Sequence, residues 1–139
     1  MNGITIIDDK NIADVKIEIV SNSLEKLFDR CLAAFNLILI DKEPKTRPKK
    51  INLKINGKNL DQIVFNFFEQ LIFLKDVNHW LIKKAKIKER LKNQIVFEME
   101  YQKIDRQTVI KGDIKALTHH QFQVKKIGKR YLVILVFDL

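Results

Sequence analysis

The chain has 139 residues, 46% of them hydrophobic and 31% charged, with 26 Lys and Arg against 17 Asp and Glu for a net charge of +9. That is enough chain for one domain, 1–139, with a sizeable core, and no apolar stretch reaches the length of a membrane span. A single cysteine excludes an intrachain disulfide and a thiolate-rich zinc site; with no signal-peptide pattern at the start, a cytoplasmic location is expected. The basic balance favours a polyanionic partner such as RNA, with a merely lysine-rich surface as the alternative.

In chain order, Val15, Ile17 and Ile19 alternate with Lys16 and Glu18, the pattern of a half-buried strand. Ser23 is a good N-cap for a helix whose stripe is Leu24, Leu27, Phe28, Cys31, Leu32, Phe35 and Leu39. Cys31 on that stripe reads as a small buried hydrophobe. Asp41 to Lys50, with Pro44 and Pro48 among charges, reads as a loop. Ile51, Leu53 and Ile55 alternate as a second strand, and Asn56-Gly57 turns the chain. Asn59 with Gln62 forms a capping box for a second helix from about Leu60 to Asp76. Phe65, Ile72 and Phe73 lie off its main stripe, so this helix is apolar almost all round. A central buried helix is expected, with a protein interface as the alternative.

Trp80–Leu91 and Ile95–Lys103 both alternate and read as a hairpin. A three-residue loop, Lys92-Asn93-Gln94, sets Leu91 against Ile95, Ile87 against Met99 and Ala85 against Tyr101. Lys88 then meets Glu98 and Lys86 meets Glu100, whereas a two-residue loop would set Ile87 against Glu98. The basic stripe Lys84, Lys86, Lys88, Arg90 is thereby partly neutralised, and it lacks the interleaved aromatics of a base-stacking surface. A last hairpin joins Asp113–Lys125 to Lys129–Asp138 around Gly128, with Leu139 beside Ala116 or Leu117 and Lys115 close to the terminal carboxylates. The run Tyr131 to Phe137 is continuously apolar, the signature of a strand buried on both faces. The fold class is therefore α+β, two helices packed on antiparallel or mixed sheets built from hairpins, with the C-terminal strand central.

Three carboxylates stand out. Asp138 and the main-chain carboxyl of Leu139 follow the buried run, and Asp14 opens the first alternating strand. Clustered carboxylates at the mouth of a core call for a compensating cation, and all-oxygen donors favour calcium or magnesium over zinc. Ordinary strand-end acids are the alternative. Asp113 reads as a solvent-facing charge or as a neighbour of the site. His119 and His120, adjacent on a strand, would point to opposite faces and are better suited to packing or hydrogen bonding than to one shared ligand. His79 has no partner in sequence. No phosphate-cradling glycine loop, nucleophile elbow or metal-hydrolase histidine pair is present, so no enzyme signature is found.

In order and spacing, several short pieces resemble the archease family. They are Ala13-Asp14-Val15, Ser23-Leu24-Glu25, Glu69-Gln70-Leu71-Ile72-Phe73-Leu74, Asp113-Ile114-Lys115-Ala116-Leu117-Thr118-His119-His120, and Val136-Phe137-Asp138-Leu139. Two departures stand beside them: Asn11 occupies a position where the family usually has His, and the chain is basic where the family tends to be acidic. The resemblance implies a calcium-binding site at Asp14, Asp138 and Leu139, and a functional lysine at Lys115, for which a surface lysine snorkelling over apolar residues is the alternative. It also implies a non-catalytic partner of an RtcB-type RNA ligase, promoting ligase guanylylation and multiple turnover in tRNA splicing or RNA repair. Contact with tRNA would then be indirect, and no membrane is involved. Two other readings stay open: a chaperone-like modulator of a tRNA-modifying enzyme, and a direct RNA-binding module.

Overall fold

The structure is a computed structural model that describes residues 3–8 and 14–139. The strands are β1 (Ile4–Asp8), β2 (Asp14–Ser21), β3 (Ile40–Lys42), β4 (Lys49–Asn56), β5 (Trp80–Leu91), β6 (Gln94–Lys103), β7 (Val109–Ile110), β8 (Ala116–Leu117), β9 (Gln123–Ile127) and β10 (Arg130–Asp138). Two helices, α1 (Leu24–Leu39) and α2 (Leu60–Phe73), interrupt them, and α2 runs on into a π-helical turn over Leu74–Asn78. This is the expected α+β architecture. One sheet runs β1-β2-β10-β8, with β9 also paired to β10; a second runs β4-β6-β5; β3 and β7 form a small third pair. Every pairing is antiparallel, and β10 is central to its sheet as expected.

Both helices start where their caps are. The Ser23 hydroxyl accepts from the Lys26 N–H, and the Asn59 side chain accepts from the Gln62 N–H while the Gln62 side chain accepts from the Lys58 N–H. These contacts satisfy donors that the first helical turn leaves orphaned. The predicted stripe of α1 is buried throughout, Cys31 included. Phe28 sits at its centre, edge-on to Phe67 of α2 at 5.1 Å and to Phe97 of β6 at 5.0 Å, so one ring ties both helices to the second sheet. Phe35 and Phe68 make the matching contacts to Phe137 of β10 at 5.9 Å and 5.3 Å, tying them to the first. On α2, Phe65 and Ile72 are buried with the main stripe, but Phe73 is 52% exposed, so the helix is covered on most sides and not on all.

The structure corrects four expectations. The β5–β6 turn has two residues, Lys92 and Asn93, with Leu91 opposite Gln94. Ile87 nonetheless avoids Glu98: the register shifts between Ile87 and Glu89, so Ile87 faces Phe97 and Ala85 faces Met99, and it shifts again between Ile82 and Lys84. The first of these bulges thus restores the apolar match that a straight strand with a tight turn would have lost. The segment from Asp113 to Lys125 is not one strand; it breaks between β8 and β9, where Gln121 takes a left-handed φ of 63°. Consequently Asp138, and not Leu139, lies opposite Ala116. Strand β10 buries Val133, Leu135 and Phe137 fully, while Leu132, Ile134 and Val136 on its other face are only half-buried. Finally, β1 and β3 were not expected; β3 lies at the edge of the proline-containing loop and pairs with β7.

Candidate metal-binding tip

Strands β2 and β10 pair so that Asp14 lies directly opposite Asp138. Opposite residues share a sheet face with Cβ atoms about 5 Å apart, so the two carboxylates stand side by side at one end of the sheet. Both residues are half-buried. Like charges in that position destabilise each other unless a cation lies between them or close by. The chain behind them is well fixed. The Lys115 N–H donates to the Asp138 carbonyl at 2.8 Å, and the Thr118 N–H donates to the Val136 carbonyl at 3.0 Å, which holds the β8 segment against the end of β10.

The other expected site residues gather round this pair with different roles. Leu139 is half-buried and packs its side chain against the core. Lys115 is exposed, and its backbone abuts Asp138. The Asp113 carboxylate is engaged by Lys75 Nζ at 2.9 Å, and the same ammonium pairs with Asp76. Lys75 is itself only 5% exposed. Sequence reasoning passed over this lysine, although it falls four residues after Leu71 of the buried stripe, in the π-helical turn that continues α2, where a buried charge needs a partner. Asn11 lies outside the described residues. Among the described residues, no three His, Cys, Asp or Glu side chains converge on one point. Two side-chain carboxylates are therefore what the described side chains offer, and a cation here would complete its shell from main-chain oxygens and water. That donor set is hard and all-oxygen, which fits calcium or magnesium.

The histidines do not join this site. His119 stacks on Phe65 at 4.2 Å with the rings 12° apart, and His120 lies 3.3 Å from the Gln121 amide. The two stand in the break between β8 and β9 rather than on a strand. His79 takes a left-handed φ of 57° and closes the π-helical turn by donating its N–H to the Leu74 carbonyl. The basic stripe of β5 is countered as expected, though with shifted partners: Lys86 faces Glu98 and Lys84 faces Glu100. Lys84 and Lys50 make the ion pairs, to Glu100 at 3.8 Å and to Glu98 at 3.7 Å. Burial pushes the Cys31 thiol far up, so it is held as the neutral thiol. Among the described residues, no helix is long and apolar enough to cross a membrane.

The fold matches two solved structures. One is the solution structure of a Methanobacterium thermoautotrophicum protein, with a TM-score of 0.71, 16% identity and all of both chains covered. The other is the crystal structure of an archease from Thermotoga maritima, described as a possible chaperone, with a TM-score of 0.69, 22% identity and 96% of each chain covered. In sequence the chain is 23% identical to the archease of Pyrococcus furiosus over 94% of its own length and 95% of that protein's. It is 24% identical to the archease of Sulfurisphaera tokodaii over the same shares. The model of the archease protein family matches residues 6–139, nearly the whole length, and the chain therefore belongs to the archease family.

Proposed function

We propose that this protein is a non-catalytic activator of an RtcB-type RNA ligase in tRNA splicing or RNA repair. The acidic end of the β2–β10 pair is the working surface, with Asp14, Asp138 and the main chain of Leu139 holding a calcium ion. The observation that carries this reading is the direct opposition of Asp14 and Asp138, an arrangement that costs stability without a cation and so calls for a functional reason. A bound calcium ion would neutralise the pair and offer the docking partner a hard positive centre. Lys115, exposed beside Asp138, supplies a second positive contact to the partner. Asp113 is a spectator in this scheme, since its charge is spent on Lys75. Ligase guanylylation and turnover are the steps promoted, and the bond-forming chemistry stays with the ligase.

The test is RNA ligation with substrate in excess over ligase, with and without this protein. Stimulation of turnover beyond one equivalent supports the reading, and unchanged turnover refutes it. A second reading, a chaperone-like modulator of a tRNA-modifying enzyme, is favoured by the description of the Thermotoga maritima relative as a possible chaperone. It would show as improved solubility or altered specificity of a methyltransferase, with no effect on ligation.

A further inference from the structure

The first half of α2 borders two adjoining hollows that the proposed tip does not use. One, of about 460 Å³, is walled by Phe65, His119 and Phe122 with Asp61 and Glu69 at its sides. The other, of about 650 Å³, opens at Lys58 and Lys92. Gln62 and Asn66 line both, so the two adjoin across these side chains as one grooved strip of surface. Its ends differ in chemistry. At the first, His119 lies parallel on Phe65 at 4.2 Å and Phe122 meets Phe65 edge-on at 5.2 Å. His119 is exposed, so the ring face turned away from Phe65 is open to a third ring. Asp61 and Glu69 stand one turn before and one turn after Phe65 on the same helix face. Among the described residues neither is in an ion pair. At the other end, Lys58 and Lys92 are exposed and likewise unpaired among the described residues.

The middle of the groove has free hydrogen-bonding capacity of both kinds. Gln62 spends its oxygen on the Lys58 N–H at 2.7 Å, which leaves its NH2 group to donate. Asn66 spends its NH2 group on the Asn56 carbonyl at 2.8 Å, which leaves its oxygen to accept. One open aromatic ring face flanked by acceptors, one donor and one acceptor between, and two cations at the far end match the layout of one molecule class: a planar base with amino and carbonyl edges, joined to a phosphate.

We infer that this groove binds a single nucleotide, its base stacked on His119 beside the Phe122 ring with its edge toward Asp61 or Glu69, and its phosphate at Lys58 and Lys92. The shared chemistry is that of a free nucleotide or of one unpaired residue in RNA. A basic peptide would satisfy Asp61 and Glu69 but would be repelled by the two lysines, so the nucleotide is the better occupant. The inference is independent of the proposed ligase role and of the acidic tip.

The test is an NMR titration of the whole protein with the mononucleotides AMP, GMP, CMP and UMP, and separately with unpaired RNA about six residues long. Shifts at His119, Phe122 and Asn66 are expected. His119→Ala should weaken binding about tenfold, the loss of one stacking contact, and His119→Phe should retain it. Lys92→Gln should weaken nucleotides but not the matching nucleosides. Equal affinity for mononucleotide and RNA names the free nucleotide as ligand. Tighter RNA binding with the same His119 dependence names an unpaired RNA residue. Absence of groove shifts with either probe, binding indifferent to His119→Ala, or shifts induced only by an arginine-rich peptide would overturn the inference. Both side chains to be changed are exposed, and an unchanged Tm verifies the fold of each variant.

Discussion

Lys75 is the residue whose surroundings most constrain the acidic tip. A buried ammonium is tolerated because Asp76 and Asp113 both reach it, and it fixes the segment before β8 to the end of α2. The lysine is buried but both carboxylates are exposed, so the pairs offset the ammonium's desolvation rather than adding much stability, and neither acid is stranded if the ammonium is removed. Lys75→Met should therefore stay within about 1 kcal/mol of the parent in urea denaturation. Asp113→Ala should lower Tm, because Lys75 then loses one of its two counter-charges. Asp105 makes a second residue-scale case. Partial desolvation pushes its carboxyl up, but the Lys45 N–H, the Thr108 hydroxyl and the N–H groups of Gln107 and Thr108 outweigh that and hold it below the usual aspartate range. A carboxyl depressed in the folded state adds stability above its unfolded pKa and loses it as pH falls through the folded value. The parent's advantage over Asp105→Asn should accordingly be full at neutral pH and vanish below the ordinary carboxylate range, as read from Tm against pH.

At the scale of elements, the fold leans on α1 and α2 meeting both sheets through aromatic rings. Phe28, fully buried between Phe67 and Phe97, is the clearest single test. Phe28→Ala should cost about 3–5 kcal/mol by chemical denaturation, since the cavity it leaves is walled by two rigid elements. Both helices were legible in the sequence because their caps and their stripes agree at the same positions. Strand β10 was legible as central, but a continuous apolar run does not say whether both faces are covered, and here one face stays half-open. The β5–β6 register was misread for a definite reason. The bulge between Ile87 and Glu89 inverts the alternation, so Ile87 and Leu91, two residues of one apparent stripe, lie on opposite faces, and the pattern alone pointed to a longer turn. The break between β8 and β9 escaped notice similarly, because Gln121 carries no glycine to mark its left-handed backbone.

Considered whole, the molecule carries its positive charge broadly and its negative charge in particular places. The Lys84 and Lys50 ion pairs to the glutamates of β6 answer part of the basic excess locally. Asp14 and Asp138 are different, standing opposed at a strand end where like charges face each other. Their positions were legible in the sequence as strand-end acids, but their direct opposition was not, since it depends on the β2–β10 register. Lys75 was missed because a single lysine does not disturb a strongly apolar helical pattern. The central claim is that this opposed pair, holding a divalent ion, is what activates the ligase. Replacing both carboxylates in Asp14→Asn/Asp138→Asn removes the like-charge opposition, so the variant should fold with a Tm equal to or above the parent's. The decisive measurement is the multiple-turnover ligation rate with this variant in place of the parent, in buffer containing calcium. We expect the folded variant to leave the ligase at its unassisted rate. Stimulation equal to that of the parent would contradict the account.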